Sequence, residues 1–502
     1  ALSANANGGK PACAFTLGGS PAANADNVTN TGGNTWTCTF TLADADAEAV
    51  VAFTISFDDL AGIAGVAVTA VSDGSSVTLD DTVPTLSSVS IDSDNAETSA
   101  TAETATNGDE VTLTFVGAET LSAGAGTPAC AFTISGSPAT NADAVANPSS
   151  NTWTCKFDIA NADANAVVAF SITFDDLAGL AGVAVTAVSD GSSVTVDDTV
   201  PTLSSASIVT DGANTAKGKD GDTVTLTVVG AEALSANANG GKPACTFTVD
   251  GSAATNADTV TNTGGNTWTC AFDLASADSD GVVAFSISFD DLAGNAGVAV
   301  TAVSDGTSVT YDGTNPTTAT VTSLTTNDNT PTIQGTFDES DADSFTVAVG
   351  GTTYTLGSSA QLTNVGDAWT LIPTVALADN TYNVVATPTD TAGNTGADAT
   401  NNELVVDTAN PSIGVTNVAS NGYVNEDEVG SFTIVGTAIG ANSQTVTVSF
   451  GGVSNTETVT VDSSGDWSWT ACDNEVCSGV SDGIVTVLAD VDDAAGNSAT
   501  QA

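Results

Sequence analysis

Pairs of adjacent aspartates recur along the chain, and their residue type and spacing suit the binding of a divalent cation. The motif Phe-Asp-Asp-Leu-Ala-Gly occurs three times, and further aspartates follow each copy. Calcium takes about six to eight oxygen ligands, and neighbouring carboxylates repel one another without a cation. We predict Ca²⁺ shared between the two aspartate sets and the next domain; the alternative is aspartates that cap turns and stay solvated. The predicted ligands are Asp58, Asp59, Asp80, Asp81, Asp175, Asp176, Asp197, Asp198, Asp290, Asp291 and Asp312.

Eight cysteines form a second set of residues that could react. They fall in four local pairs, namely Cys13/Cys38, Cys130/Cys155, Cys245/Cys270 and Cys472/Cys477. Even pairing at constant spacing is typical of disulfides made in an oxidising compartment. The chain has no histidine, so two cysteines per repeat could complete a zinc site only by adding carboxylates. We therefore predict four disulfides and an extracellular location.

Tryptophans accompany the first three cysteine pairs. Trp36, Trp153 and Trp268 each precede a cysteine by two residues, which places both side chains on one face of a strand. A core tryptophan that packs on a disulfide is a simpler explanation than a sugar-stacking platform. Trp467 and Trp469 share one face in the same way, and we predict that they are also in the core.

These residues belong to a block that is written three times. The segment from Ala1 to Cys13 reappears at 233–245, with a shorter version at 120–130. Each copy continues to Thr-Trp-Thr-Cys and then to the aspartate motif. Solenoid repeats are about 20–50 residues long, and this period is much longer, so each copy is predicted to be a whole domain.

Alternating apolar residues predict β-strands in every copy, and we find no pattern for a helix of ten or more residues. The predicted strands include 51–57, 66–71, 111–115, 224–228, 345–349 and 446–450. A strand followed by Asp, Thr and Pro closes each domain and marks a short joint. The predicted domains are 1–82, 83–199, 200–314, 315–409 and 410–502. We call them domains 1 to 5, and they predict an all-β chain of tandem β-sandwiches in an elongated array.

The composition limits the partners. Sixty acidic residues face five lysines and no arginine, for a formal net charge of −55. This charge argues against binding to nucleic acid and to anionic membrane surfaces, and no apolar run is long enough to span a bilayer. Without histidine or arginine, the commonest general base and the usual anion clamp are missing. We therefore predict that the chain is not an enzyme, and that salt or divalent cations relieve its self-repulsion.

Residues 316–502 resemble tandem bacterial Ig-like repeats of giant secreted adhesins and biofilm-associated surface proteins. The resemblance rests on the opening Asn-Thr-Pro-Thr-Ile-Gln-Gly-Thr at 329–336, the Asp-x-Ala-Gly-Asn segments and the Val-Asp-Thr joint. It is looser over 1–315. It implies Ig-like sandwiches strung end to end on the cell surface, with calcium at the joints. The ligands carried over by the resemblance are Asp390 with Asp407, and Asp490, Asp492 and Asp493.

One feature departs from the pattern of the resemblance. An immunoglobulin disulfide spans the core and has a wider spacing in the sequence. The shorter spacing of Cys130 and Cys155 therefore predicts a bridge between nearby strands in domains 1 to 3.

The predicted function is mechanical. We expect a rod-like extracellular stalk of a surface adhesin or fibre, stiffened by calcium and disulfides, whose partners are copies of itself or flanking repeats. Two alternatives remain open. Domain 1 is expected to lack its first strands and domain 5 its last, which we interpret first as a window cut from a longer repeat array. In the first alternative, the chain is instead a filament or surface-layer protomer, and neighbouring subunits supply the missing strands. In the second, it is an array of carbohydrate-binding modules that contacts cell-surface or matrix glycans.

Overall fold

The secondary structure is almost entirely β. The computed structural model describes residues 2–3, 11–24, 27–95, 101–124, 128–140, 145–236, 243–256, 259–424, 428, 432–450, 456–470 and 483–502. Within these ranges the chain forms β-strands and one helical turn, α1 (Ala419–Gly422). The predicted all-β fold is therefore confirmed.

Domain 1 has two small antiparallel sheets. Its strands are β1 (Ala12–Leu17), β2 (Ser20–Pro21), β3 (Asn27–Gly32), β4 (Thr35–Thr39) and β5 (Val51–Ser56). One sheet has the order β2-β1-β5, and β3 pairs with β4 in the other.

Domain 2 has a four-stranded sheet, β11-β12-β8-β6, and a three-stranded sheet, β10-β9-β13. A short early strand, β7, runs parallel to the last strand, β14. The strands are β6 (Leu86–Ser93), β7 (Glu103–Ala105), β8 (Glu110–Gly117), β9 (Ala129–Ile134), β10 (Ser137–Pro138), β11 (Ala146–Ser149), β12 (Thr152–Asp158), β13 (Val168–Thr173) and β14 (Val194–Val196).

Domain 3 repeats this plan with sheets β15-β17-β21-β20 and β16-β23-β22-β18-β19. Here too, β16 runs parallel to the last strand, β23. The strands are β15 (Leu203–Thr210), β16 (Lys217–Gly218), β17 (Thr223–Gly230), β18 (Ala244–Val249), β19 (Ser252–Ala253), β20 (Thr259–Gly264), β21 (Thr267–Asp273), β22 (Gly281–Ser288) and β23 (Thr310–Tyr311).

Domain 4 has sheets β24-β26-β30-β29, β28-β27-β32 and β25-β33-β31. Again an early strand, β25, runs parallel to the last, β33. The strands are β24 (Thr320–Val321), β25 (Leu324–Thr326), β26 (Ile333–Thr336), β27 (Ser344–Val349), β28 (Thr352–Thr355), β29 (Leu362–Val365), β30 (Ala368–Leu371), β31 (Asn380–Tyr382), β32 (Val385–Thr389) and β33 (Leu404–Val406).

Domain 5 has two three-stranded sheets, β34-β35-β38 and β37-β36-β39. The strands are β34 (Ser412–Val418), β35 (Thr433–Ile439), β36 (Thr445–Phe450), β37 (Thr456–Thr460), β38 (Asp466–Thr470) and β39 (Val487–Val491).

Each of domains 2 to 5 has its own buried core, built from the inward side of the alternating strands. In β8, for example, every second residue is buried while the residues between are half-exposed. Trp153, Trp268, Trp467 and Trp469 lie in these cores, as predicted, whereas Trp36 of domain 1 is half-buried.

The disulfides correct one prediction. Cys130 lies on β9 of one sheet and Cys155 on β12 of the other, and the same bridge recurs as Cys245–Cys270 and Cys13–Cys38. The bridges therefore join opposite sheets across the core, and the prediction that they link nearby strands was wrong. The reason is that the chain changes sheets between the two cysteines. The short strand β10 pairs with β9 in one sheet, and the next strand, β11, pairs with β12 in the other. Cys472 and Cys477 lie outside the described residues.

Residues 66–71 do not form the predicted strand. Val68 exchanges two backbone hydrogen bonds with Ile55 of β5, but the flanking residues leave the sheet and Val66 is 87% exposed. A segment with alternating apolar residues forms a strand only where it pairs with a neighbouring strand along its length. Here only Val68 pairs with β5.

Candidate functional site

The repeated acidic motif forms a loop whose backbone N–H groups are bound by the first aspartate of the loop. We call it the Asp-x-Ala-Gly-x loop, and it spans 59–63, 176–180, 291–295, 390–394 and 493–497. In domain 4, Asp390 Oδ1 accepts hydrogen bonds from the backbone N–H groups of Ala392, Gly393 and Asn394 at 2.8, 2.7 and 2.9 Å. Glycine is required in the fourth position because the turn needs a positive φ there, 93° at Gly393.

In three copies the last loop residue is asparagine, and its amide connects two domains. Asn394 Nδ2 donates to Asp390 Oδ2 at 2.9 Å and to the backbone carbonyl of Asp312, at the end of domain 3, at 2.8 Å. Asn295 makes the same two bonds to Asp291 Oδ2 and the Asp197 carbonyl. Asn497 makes them to Asp493 Oδ2 and the Asp407 carbonyl. We call this pair of hydrogen bonds the asparagine latch.

A loop of the preceding domain adds a second contact at the same three places. It follows the short early strand that runs parallel to the last strand. Thr106 Oγ1 donates to Asn295 Oδ1 at 2.7 Å, Lys219 Nζ donates to the Gly393 carbonyl at 2.9 Å, and Asn327 Nδ2 donates to the Gly496 carbonyl at 3.0 Å. Each contact joins successive domains directly, so these junctions need no ion to make contact.

We name the junctions by their domains, with junction 1/2 at Asp80, 2/3 at Asp197, 3/4 at Asp312 and 4/5 at Asp407. At junction 2/3, carboxylate oxygens of Asp197, Glu232 and Asp291 all lie within 4.8 Å of one another. Burial, and then the negative charges of Asp197 and Asp291, raise the pKa of Glu232. The three carboxylates lie close together although their negative charges repel one another. Carboxylate oxygens are the ligands that calcium prefers.

At junction 1/2, Glu119 has the position in the sequence of its domain that Glu232 has in domain 3. Burial, followed by the charges of Asp80, Asp176 and Glu48, raises the pKa of Glu119. At junction 3/4, burial and then the charge of Asp390 raise the pKa of Asp312. The loop aspartates Asp291 and Asp390 therefore face the end of the preceding domain.

The structure thus changes the predicted pairing of the aspartates. We predicted that Asp175/Asp176 share an ion with Asp197/Asp198 of their own domain and the next domain, but Asp176 interacts with Glu119 of its own domain, and Asp197 meets Asp291 of the next domain. Likewise Asp390 faces Asp312, whereas the carbonyl of Asp407 accepts the Asn497 amide. A sandwich has two poles, and the strand pattern alone does not tell which loops share one.

The other predicted ligands make local contacts. The carbonyls of Asp58, Asp175 and Asp290 accept the N–H groups of Ser3, Ser122 and Ser235. Asp59 Oδ1 accepts the N–H groups of Ala61 and Ile63, the Asp81 N–H donates to Glu48, and Asp198 accepts the Asn107 N–H. Asp490 accepts the Gln501 amide, and Asp492 forms a β-bridge with Ser498.

Sequence reasoning missed the junction contacts of Thr106, Lys219 and Asn327. It also missed two other types of junction residue, the glutamates Glu119 and Glu232 and the loop asparagines Asn295, Asn394 and Asn497. A signal was present for both types. Ala-Glu recurs before a leucine in domains 2 and 3, and asparagine ends the Asp-x-Ala-Gly-x loop in three copies.

Replacement of Asn394 by alanine is expected to loosen junction 3/4 by about 1–3 kcal/mol, because it leaves buried Asp390 Oδ2 and the Asp312 carbonyl without their amide donor. Hydrogen exchange of the full chain, read by mass spectrometry in peptides that cover 308–316 and 385–396, measures the change. Asn364→Ala is the matched control, because the Asn364 amide bonds only within its own turn, to the Gly366 carbonyl. Unchanged exchange at both segments in Asn394→Ala would contradict the latch.

Comparisons with known proteins give one matching family model and several similar solved structures. Residues 303–408 match the family model of the bacterial Ig-like domain. One similar solved structure is from a 1.5-MDa bacterial ice-binding adhesin, at 25% identity and TM-score 0.24, covering 60% of this chain and 95% of that one. Another is the Escherichia coli adhesin FdeC, at 14% identity and TM-score 0.30, covering 65% and 98%. A search of the curated proteins returned no match.

No helix among the described residues is long and apolar enough to cross a membrane. The sheets, the cores and the family match together establish an all-β chain with Ig-like sandwiches, and residues 303–408 of it match the model of the bacterial Ig-like domain.

Proposed function

We propose that the chain is an extracellular structural or adhesive array in which the junctions hold successive Ig-like domains at fixed spacing. The observation that carries this proposal is the repeated asparagine latch at junctions 2/3, 3/4 and 4/5. Domains that moved freely relative to one another would not form the same two hydrogen bonds at three successive joints. The disulfides support a mechanical role, because each ties the two sheets of its domain together.

Calcium is the second part of the proposal. The carboxylates of Asp197, Glu232 and Asp291 come from the end of domain 2 and from two loops of domain 3. An ion bound among them would neutralise three like charges and tie the two domains to each other. Such neutralisation matters in a chain whose net charge is −55, because unscreened repulsion favours open arrangements.

The tryptophans give no support to a carbohydrate-binding array. Sugar stacking needs an exposed aromatic face, but Trp153, Trp268, Trp369 and Trp467 are all at most 4% exposed, and Trp36 is half-buried. We therefore keep the structural role as the proposed function.

Small-angle scattering and thermal unfolding of the full chain test this function. Five sandwiches in line, with strands that rise about 3.3 Å per residue, give a maximum dimension on the order of 150–200 Å. Millimolar calcium at fixed ionic strength is expected to raise the melting temperature in a saturable way, and Glu232→Gln should reduce the rise. A compact particle would contradict the array, and a rise that follows sodium chloride instead of calcium would contradict the ion.

A further inference from the structure

One long sheet edge of domain 3 is open in the part of the chain that the structure describes. Strand β20 is the last strand of the sheet β15-β17-β21-β20, and it pairs with β21 alone. Five of its six residues are exposed. The edge strands of the second sheet, β16 and β19, have only two residues each. A long exposed edge presents backbone N–H and C=O groups that can pair with a strand of another molecule.

The opposite edge of the same sheet, β15, is covered by hydroxyl groups. Ser304 Oγ accepts the Ala206 N–H at 3.0 Å, and the Ser304 N–H donates to the Ala206 carbonyl at 2.8 Å. Thr307 Oγ1 accepts the Ile208 N–H at 2.9 Å. The same arrangement covers β6 in domain 2. These bonds occupy backbone groups of the edge strand to which a further strand would otherwise bond, whereas β20 has no such cover among the described residues.

The equivalent hairpins of domains 1 and 2 differ in how the edge is treated. Residues 28–38 are identical to residues 260–270, and β3 lies at a sheet edge as β20 does. In domain 2, the hairpin at 145–155 has Pro148 where the other two have threonine. Proline protects strand edges because it cannot donate a backbone hydrogen bond. The chain therefore has two open edges, with a protected one between them.

The side chains of the two open edges are suited to a second copy of this chain. Its net charge is −55, but residues 27–39 and 259–271 contain no charged side chain, so two copies repel one another least at these places. Thr261 lies opposite Thr269 of β21, which lies opposite Thr227 of β17. Antiparallel pairing of two β20 strands about Thr261 would add two more threonines to this row, and threonine pairs across strands stabilise sheets.

We propose that copies of this chain associate side by side, through antiparallel pairing of β20 with β20 and of β3 with β3 of a second copy. Each contact is two-fold symmetric, because the same strand lies on both sides of it. Since one chain has two such edges, association continues from copy to copy. The inference goes beyond the proposed function, because it concerns contacts between separate chains and not the joints between successive domains.

Sedimentation velocity of the full chain over a series of concentrations tests the inference. Chelator removes divalent cations, and high salt screens the net charge. The wild-type chain is expected to associate as its concentration rises. Thr31→Pro combined with Thr263→Pro should raise the concentration needed for association by roughly tenfold or more, because each proline reproduces the protected edge of domain 2. Pro148 lies in the paired strand β11, so the hairpin accommodates proline at this position.

Thr31→Ala combined with Thr263→Ala is the matched control. It keeps both backbone N–H groups and should associate like the wild type, whereas Pro148→Thr should strengthen association. Hydrogen exchange in peptides that cover 259–264 should slow as the concentration rises, but exchange in peptides that cover 146–149 should not.

The inference is wrong if the wild-type chain stays monomeric at every concentration, or if the proline variant associates as readily as the alanine variant. It is also wrong if the chain associates while exchange at 259–264 stays unchanged, because the contact then lies elsewhere. These measurements are made in chelator and do not involve the junctions, so each of these results leaves the proposed function standing.

Discussion

Loss of the disulfide Cys130–Cys155 is expected to lower the free energy of unfolding of domain 2 by about 3 kcal/mol. The bridge closes a loop with a sequence separation of 25 residues and connects β9 to β12 across the core. Next to it, Phe132 and Phe157 pack with their ring centroids 4.6 Å apart, on the same two strands. The two sheets of the domain are therefore held together by the disulfide and by an adjacent aromatic contact. Removal of the disulfide also raises the conformational entropy of the unfolded chain.

Urea denaturation of the full chain, in the variant with both Cys130 and Cys155 replaced by alanine, measures this loss. Domain 4 is the internal control, because its sequence contains no cysteine and its transition should be unchanged. Treatment of the wild-type chain with reductant should shift domain 3 by a similar amount, since Cys245–Cys270 occupies the same place. Equal midpoints before and after reduction would show that the bridges do not stabilise the fold.

Sequence alone predicted the strands well where both faces of the pattern were clear. The predicted segments 111–115, 224–228 and 446–450 all lie within observed strands, β8, β17 and β36. Their apolar residues alternate with threonine and serine, and the alternation continues long enough to fill one side of a sheet. Residues 66–71 have the same pattern but lack a partner edge, and periodicity contains no information about partners.

The junctions were only half predictable. The aspartates of the Asp-x-Ala-Gly-x loop were recognised because paired carboxylates stand out in any sequence. The role of Asn394 was not, because its two hydrogen bonds reach an aspartate of its own loop and a carbonyl of the preceding domain. Glu232 was missed because it is distant in sequence from Asp291. Only in the folded domain do their carboxylate oxygens lie within 4.8 Å of each other.

Gly436→Ala is expected to destabilise domain 5 by about 3 kcal/mol. Gly436 lies on β35 directly opposite Trp467 of β38, and Trp467 is 2% exposed. An added Cβ would overlap the Gly414 carbonyl oxygen and approach the indole Cε2 of Trp467 to 2.5 Å. Neither group has room to move, because the first is backbone in a paired strand and the second fills the core. Gly335 of domain 4 repeats the arrangement against the Thr320 carbonyl and the Trp369 ring.

Gly414→Ala is the matched control in the same sheet. Gly414 lies on β34, which pairs with β35, and an added Cβ there would meet only Thr437 Oγ1 at 3.7 Å, an ordinary contact. The free energy of unfolding of domain 5 should change by about 0.5 kcal/mol or less in Gly414→Ala. Thermal unfolding of the two variants therefore separates the steric effect from the general effect of replacing a strand glycine. If both variants unfold at the wild-type temperature, the tryptophan does not require glycine on the opposite strand, and the close packing of Trp467 on β35 does not limit the stability of domain 5.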